Sequence, residues 1–239
     1  MHILDDHAFV LRVSLNTLES SSASSLQKSS NILPIGKTRS PTGLALSPSG
    51  AYLVATAGYK TYVAAISSLQ SGFTKYVSAE QLTCLAFHPS EDYFATGDAK
   101  GIIRLWYCLN DQVAVKTVGI EKRTQTSSLL WHAHAVLSIA FTPNGAYLLS
   151  GGEESVLVIW QLSTGKKEFV PRLGSPINTI SVSSGRNEEE YLLGLADATF
   201  IFINTAVLKV SRSFCRIKLG ESYCFAIGPL LPQVVRSWY

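Results

Sequence analysis

Residues 131–160 read WHAHAVLSIAFTPNGAYLLSGGEESVLVIW, and this unit recurs along the chain. Four anchor residues define it: Phe141, Pro143, Gly151 and Trp160. The same four residue types lie 54 positions earlier, within the segment LTCLAFHPSEDYFATGDAKGIIRLW: they are Phe87, Pro89, Gly97 and Trp106. Because all four pairs keep one spacing, the two segments are copies of one repeated unit.

Two weaker copies flank these units. GLALSPSGAYLVATAGYKTYVAAI, at residues 43–66, places Leu46 41 positions before the matching phenylalanine of the second unit, but it lacks the tryptophan. INTISVSSGRNEEEYLLGLADATFIFI, at residues 177–203, places Val182 41 positions after its phenylalanine counterpart and ends in Ile203 instead of Trp. A period of about 40 to 45 residues with several short strands per unit is typical of a propeller blade. We therefore predict an all-β protein, a β-propeller with about four recognisable blades.

The pattern inside residues 131–160 agrees with such a blade. Apolar residues indicate an inner strand at 136–141, a second strand at 146–149 and a third at 156–160. Asn144 and Gly145, between the first two strands, are turn formers that tolerate positive φ.

The composition indicates a folded chain with a sizeable core. Of its 239 residues, 46% are hydrophobic and only 15% are charged. The net charge of +3 is too small to require a nucleic-acid partner, although it does not forbid one. The four cysteines form no CxxC pair and lie in or beside apolar strand patterns, which favours reduced thiols in the cytosol or nucleus. They are Cys84, Cys108, Cys215 and Cys224.

Neither a signal peptide nor a membrane helix is expected. The opening MHILDD has no basic start and no long apolar stretch. The most apolar run, residues 191–210, is interrupted by Asp197, Asn204 and Lys209 and alternates as paired strands do.

The chain divides into four parts. Residues 1–18 alternate like the outer strand of an incomplete blade, and residues 19–40 are a Ser-rich loop, for which a phosphorylated regulatory segment is the alternative. Propeller blades occupy residues 43–210, and residues 211–239 form an apolar tail with no clear repeat. Four blades are fewer than the seven or so that such propellers usually need to close, so we expect a fragment of a larger propeller.

Two connections between the repeats are unusually long. After Trp106, residues 113–118 can supply an outer strand, and the polar residues 119–128 read as a surface loop. After Trp160 comes LSTGKKEFVPRLGSPI, at residues 162–177. This connector is either a solvated turn with anchoring apolar residues or a basic contact for RNA or an acidic partner. Its candidate partner contacts are Lys166, Lys167 and Arg172.

No pattern in the sequence predicts an enzyme. His132 and His134 form an HxH pair without a third ligand at metal spacing. The carboxylates Glu153, Glu154 and Asp98 fall in turns of different blades, where solvation explains them better than acid–base catalysis. The residues around Ser150 form neither a nucleophile elbow nor a phosphate loop. We therefore expect no catalytic residues, no metal and no cofactor.

The four copies resemble WD repeats, and the resemblance assigns structural roles to several residues. In that family a histidine, a serine or threonine and a turn aspartate form a hydrogen-bonded network with the tryptophan. The matching positions here are His132, Ser150, Glu154 and Trp160. The aspartate of the family's Trp-Asp pair is absent here, because Gln161 follows Trp160.

The second unit matches this pattern only in part. Thr96 and Trp106 occupy the hydroxyl and tryptophan positions, whereas Ser78 replaces the histidine and Lys100 the aspartate. Tyr107 again stands where the family has aspartate. The resemblance therefore implies an incomplete network in this unit.

One segment points to a particular WD-repeat family. SGGEESVLVIWQLSTGKKEFVPRLGSPI, at residues 150–177, is similar to the WD repeat-containing protein 75 family, nucleolar subunits of the transcription-linked subcomplex of the small-subunit processome. In that family a Ser-Gly-Gly turn leads through SVLV to the tryptophan, and KEF, a proline and RLG follow. The HPxxD-like turn at residues 88–92 and GxIRLW at residues 101–106 agree with this family.

The resemblance implies a non-catalytic scaffold of the nucleus and nucleolus. Such a protein would help to assemble the processome for 18S rRNA maturation and would support transcription by RNA polymerase I. Its partners would be other WD-repeat and helical subunits, with pre-rRNA or snoRNP contacted indirectly and no membrane or small-molecule substrate involved. The alternatives are a generic WD-repeat adaptor, such as the substrate receptor of a ubiquitin ligase, and a propeller enzyme.

Overall fold

The alternating patterns form short antiparallel strands throughout the computed structural model, which describes residues 2–4, 9–13, 32–37, 41–109, 124–184, 189–214, 224–227 and 232–235. The first sheet contains β1 (His2–Leu4), β2 (Phe9–Val13) and β3 (Ile32–Lys37), in that order. Four sheets of four strands follow, and each is built from strands consecutive in the sequence. We number these sheets blades 1 to 4.

Blade 1 consists of β4 (Pro41–Leu46), β5 (Tyr52–Ala57), β6 (Lys60–Ala65) and β7 (Thr74–Val77), with a 3₁₀ turn at Ile66–Ser71. Blade 2 consists of β8 (Leu82–Phe87), β9 (Phe94–Asp98), β10 (Ile102–Trp106) and β11 (Thr126–Leu130). Blade 3 consists of β12 (Val136–Phe141), β13 (Tyr147–Gly152), β14 (Leu157–Gln161) and β15 (Lys167–Val170). Blade 4 consists of β16 (Ile177–Ser184), β17 (Glu189–Leu195), β18 (Phe200–Asn204) and β19 (Lys209–Phe214). A two-stranded sheet of β20 (Cys224–Ile227) and β21 (Pro232–Val235) completes the described chain.

The strand registers show that the blades are copies of one unit. Ala64 faces Leu53, Trp106 faces Phe94, Trp160 faces Leu148, and Ile203 faces Tyr191. In each blade this residue lies on the third strand and pairs with the second. The tryptophan position of blades 2 and 3 is therefore held by Ala64 in blade 1 and by Ile203 in blade 4.

The core lies between neighbouring blades instead of within one layer. One buried cluster joins Leu105 of blade 2 to Val136 and Trp160 of blade 3. Another joins Ile159 of blade 3 to Leu193 of blade 4. Blade 3 is covered on both faces, by the clusters it shares with blades 2 and 4, which explains why its two middle strands read as nearly continuous apolar runs.

The N-terminal part differs from the sequence prediction. Residues 9–13 belong to a three-stranded sheet and are not a lone outer strand, and β3 falls inside the range predicted to be loop. Pro34 hides this strand in the sequence because proline cannot donate a ladder hydrogen bond. It is accommodated opposite Leu11, where the register shifts. The Ser-rich residues 19–31 lie outside the described residues.

The outer strands differ as well. The outer strand of blade 2 is β11, which covers part of the predicted loop at 119–128, while residues 113–118 lie outside the described ranges. In the connector after Trp160, a turn at residues 162–164 leads into β15, a strand that the sequence pattern did not predict. β19 extends past residue 210, and the tail contains β20 and β21. Outer strands are largely exposed, so polar residues such as those of TSSLL carry little periodic signal.

Residues 191–210 form parts of three antiparallel strands, as their alternation predicts. Within the described ranges, no helix has the length and apolar character needed to cross a bilayer.

Candidate functional site

Blade 3 contains a continuous chain of hydrogen bonds that starts at Trp160. The indole N–H donates to the Ser150 hydroxyl at 2.8 Å, and this oxygen lies 2.8 Å from Nε2 of His132. Nδ1 of His132 lies 3.0 Å from Oε2 of Glu154. The other oxygen of Glu154 accepts the backbone N–H groups of Ala133 at 2.8 Å and His134 at 2.7 Å. The structure thus brings together His132, Ser150, Glu154 and Trp160.

The order of donors in this chain follows from the acceptor at its end. A carboxylate only accepts, so Nδ1 of His132 carries a proton and donates to Glu154. Nε2 of the neutral ring then accepts from the Ser150 hydroxyl, which itself accepts from the indole. Burial lowers the pKa of His132, and this outweighs the carboxylate of Glu154, which acts to raise it. The contact at pH 7 is therefore a hydrogen bond from a neutral imidazole to a carboxylate, although its distance would suit an ion pair.

Glu154 is held in its ionised form. Burial would raise the pKa of its carboxyl, but the hydrogen bonds from the His134 backbone and from His132 outweigh burial and lower the pKa. The carboxylate thereby fixes both the loop before β12 and the turn between β13 and β14.

Blade 2 keeps only part of this arrangement. The indole of Trp106 donates to the Thr96 hydroxyl at 2.9 Å. Ser78, at the histidine position, is buried, and its hydroxyl has no hydrogen-bond partner among the described residues. Asp98 closes the turn between β9 and β10 instead, accepting the N–H groups of Lys100 and Ile102 at 2.9 Å each.

The hydroxyl position follows the tryptophan position from blade to blade. Register places Ala55 of blade 1 and Leu193 of blade 4 where blades 2 and 3 have Thr96 and Ser150. Both Ala55 and Leu193 are buried. A buried indole N–H must be paired, and a buried hydroxyl is costly without a partner, so the two residues occur together or not at all.

His88 is a residue whose role the repeat pattern does not reveal. Its buried ring lies at the end of β8, where Nδ1 accepts the N–H of Glu91 at 2.9 Å. Nε2 therefore carries the proton and donates to the carbonyl of Gly145 in blade 3, at 3.1 Å. The ring also stacks on Tyr93 and meets the edge of Phe141. The HPxxD-like motif at residues 88–92 marks His88 in the sequence, but it gives no indication of a contact between blades.

The three basic candidates for partner contact differ in their surroundings. Lys166 is exposed at the start of the outer strand of blade 3, and Arg172 is exposed beyond its end, with φ of 60°. Lys167 has an internal role: its Nζ lies 5.2 Å from the centroid of the Trp160 ring and donates to the Leu130 carbonyl at 3.3 Å. The structure places Lys166 and Lys167 side by side and does not join Arg172 to them.

The remaining candidates from the sequence are His134 and the cysteines. His134 is exposed, and no group of three or more His, Cys, Asp or Glu side chains converges among the described residues. Cys84 and Cys108 are buried, and burial raises the pKa of the Cys84 thiol to about 12. The side chains of Cys215 and Cys224 lie outside the described residues.

Comparison with known proteins agrees with this architecture. A protein named WD repeat-containing protein 75 from Homo sapiens is 38% identical over 153 residues, which are 61% of this chain and 17% of that protein. U3 small nucleolar RNA-associated protein 17 from Schizosaccharomyces pombe is 38% identical over 102 residues, covering 42% of this chain and 12% of that protein. The chain therefore spans less than a fifth of the length of these relatives.

The chain also matches a solved structure and a protein family. A chain of the crystal structure of the mitotic checkpoint complex superposes with a TM-score of 0.65 at 14% identity, covering 87% of this chain and 60% of that one. At this identity the likeness concerns the fold, and it confirms the predicted propeller. Residues 7–189 match the family described as WD repeat-containing protein 75 first beta-propeller. Because this match covers well over half of the sequence, the chain belongs to that WD-repeat family.

Proposed function

We propose that the protein is a non-catalytic WD-repeat scaffold in ribosome biogenesis. The observation that carries the proposal is the family match over residues 7–189. It is supported by the relative named as associated with the U3 small nucleolar RNA. In finer detail, the scaffold would act in the nucleolus, in assembly of the small-subunit processome and processing of pre-18S rRNA, and would support RNA polymerase I transcription.

The chemistry of the described blades supports a scaffold over an enzyme. The polar atoms of His132 and Glu154 in blade 3 are bonded to each other, to Ser150 and to backbone N–H groups. One oxygen of Asp98 accepts two backbone N–H groups in its own turn. An acid–base catalyst needs a group within reach of a substrate proton, whereas these groups brace turns.

The proposed partners are proteins, namely other WD-repeat and helical processome subunits. The net charge of +3 supports this choice, because a protein that neutralises about six to ten phosphates needs a denser basic surface. Pre-rRNA or snoRNP would be reached through those subunits. Exposed Lys166 and Arg172 are the proposed contacts, since connecting segments on a rigid scaffold usually carry recognition residues.

Charge reversal in the cell tests the proposal. A tagged chain should concentrate in nucleoli and co-purify with processome subunits with or without nuclease, and its depletion should lower conversion of precursors to 18S rRNA. Lys166→Glu combined with Arg172→Glu should reduce co-purification. The control is Lys100→Glu combined with Lys209→Glu, which makes the same charge change at exposed lysines of blades 2 and 4.

Two outcomes would count against the proposal. Loss of all subunits after nuclease treatment would show that RNA holds the complex together. A protein spread through the cytoplasm, with normal 18S levels on depletion, would instead support the generic WD-repeat adaptor.

A further inference from the structure

An exposed apolar cluster lies where the outer parts of blades 2 and 3 meet. It consists of Leu130 at the end of β11, the adjacent Trp131, and Phe169 on β15, and we call it the edge patch. Their exposed fractions are 62%, 37% and 42%. The ring centroids of Trp131 and Phe169 are 5.0 Å apart, so residues of two blades form one continuous surface.

The phenylalanine of the edge patch is peculiar to blade 3. Register places Lys75, Ser128 and Ser213 at the position of Phe169 in blades 1, 2 and 4. The outer strand thus folds with a polar residue at this point in each of the other three blades. A half-exposed aromatic that the repeat does not need for packing is typical of a binding surface.

The charges beside the edge patch are positive. Lys167 lies on the same face of β15 as Phe169, because side chains two residues apart share a face. Glu168, between them, points to the opposite face, towards blade 4. The carboxylate of Glu154, near Trp131, is already bonded to His132 and to two backbone N–H groups. Exposed Lys166, which immediately precedes β15, adds a second positive charge at this end of the strand.

We propose that the edge patch docks a short segment of a partner protein in which an aromatic or aliphatic side chain adjoins carboxylates. The apolar side chain would cover Trp131 and Phe169, and the carboxylates would face Lys166 and Lys167. This inference deepens the proposed scaffold function and rests on it for the presence of such a partner. RNA fits less well, because the two rings pack on each other and so offer less open ring face for a base to stack on.

Binding of a defined peptide to the full chain tests the inference. The probe is a fluorescein-labelled peptide, Asp-Glu-Phe-Asp-Glu-Leu-Asp, followed by fluorescence anisotropy. Phe169→Ser, which installs the residue type of blades 2 and 4, should weaken binding at least about tenfold, as expected for the loss of one buried aromatic contact. Lys166→Glu should also weaken it, whereas Val210→Ser, at a 47% exposed residue of blade 4, should not. An analogue with lysine in place of every acidic residue should bind at least about tenfold more weakly.

Each alternative result overturns the inference. No binding by the wild type, equal binding by Phe169→Ser, or equal loss in Val210→Ser would do so. Tighter binding of an oligouridylate that Phe169→Ser abolishes would assign the surface to nucleic acid. Concentration-dependent dimerisation lost in that variant would assign it to a second copy.

The variant itself needs a check on folding. Phe169→Ser should melt as the wild type does, and Trp131→Val, with the residue type of Val77 in blade 1, provides a second variant of the same surface. If the peptide binds as expected while processome subunits fail to co-purify, the scaffold function fails and the edge patch stands.

Discussion

Ser150 connects two groups of blade 3 that could not be buried alone. Its hydroxyl accepts from the indole of Trp160 and donates to Nε2 of His132. A serine hydroxyl can do both because it carries one proton and two lone pairs. The chain of bonds therefore keeps His132 neutral in the folded protein and ends on an ionised Glu154, and both protonation states have consequences for stability.

We predict that the protein loses stability as the pH falls below neutrality. The pKa of His132 is lowered by burial, so between its folded value and the ordinary value of about 6.5 the unfolded chain binds more protons. The stability is fully present above about pH 6.5 and is lost as the pH falls towards the folded pKa. Glu154, whose pKa is also lowered, adds a second loss at more acidic pH, below its ordinary range.

Urea denaturation between pH 7.5 and pH 5 measures this effect. His132→Gln should be less stable than the wild type at pH 7.5 and should show a weaker dependence on pH. His134→Gln, at an exposed residue two positions away, should keep the wild-type dependence. Identical pH slopes for the wild type and His132→Gln would contradict the assignment.

The turn between the second and third strands has the same length in blades 2, 3 and 4 and is one residue shorter in blade 1. One residue in it has positive φ: Gly58 at 56°, Gly101 at 85°, Ser155 at 58° and Ala198 at 62°. Glycine adopts this conformation at no steric cost, whereas other L-residues lose about 1 kcal/mol. Blades 3 and 4 therefore carry backbone strain that blades 1 and 2 avoid.

We predict that Ala198→Gly stabilises the protein by up to about 1 kcal/mol, because relief of strain exceeds the added flexibility of the unfolded chain. Gly58→Ala, in the shorter turn of blade 1, is a control in the opposite direction, since a Cβ there meets nothing within 4 Å and only the backbone is affected. It should destabilise by a similar amount. Chemical denaturation of both variants checks the sign, and a destabilised Ala198→Gly would show that the turn is not strained.

The sequence patterns predicted the inner strands of the blades better than the outer strands. The inner three strands of a blade were predictable because Phe141, Gly151 and Trp160 recur at fixed distances and the strands between them are buried. The outer strand β11 was not, because an exposed strand needs no apolar alternation. The link between His88 and Gly145 was also missed, since an alignment of repeats compares equivalent residues and says nothing about which residues of adjacent blades meet.

At the scale of the whole molecule, the blades are held to one another by a few polar contacts added to the apolar core. His88 joins blade 2 to the Gly145 carbonyl of blade 3. The Thr83 hydroxyl donates to the carbonyl of Val136, also in blade 3. Ser138 of blade 3 accepts the N–H of Ile180 in blade 4 at 3.0 Å. These bonds fix how adjacent sheets are placed, which the apolar packing alone specifies less strictly.

We predict that Gly145→Ala weakens the contact between blades 2 and 3. A Cβ at Gly145 would lie 2.4 Å from Nε2 of His88, so the ring must move and its hydrogen bond must break. Loss of this buried bond should cost about 1 to 3 kcal/mol in addition to the backbone cost at φ of 71°.

Gly50→Ala isolates the backbone part. Gly50 is the same turn residue in blade 1, with φ of 69°, and a Cβ there meets nothing within 4 Å. Hydrogen exchange should show faster exchange of amides in blades 2 and 3 for Gly145→Ala and little such change for Gly50→Ala. Equal losses of stability in the two variants would remove the role assigned to His88.

The pairing of tryptophan with a hydroxyl makes the two possible orders of substitution unequal in cost. If the hydroxyl is replaced first, the indole N–H is left buried without a partner. If the tryptophan is replaced first, a serine or threonine on the neighbouring strand can turn its hydroxyl to a nearby backbone carbonyl. The second order passes through the less costly intermediate. Blades 1 and 4 have Ala55 with Ala64 and Leu193 with Ile203 at these positions, so neither an unpaired indole N–H nor an unpaired hydroxyl is buried there.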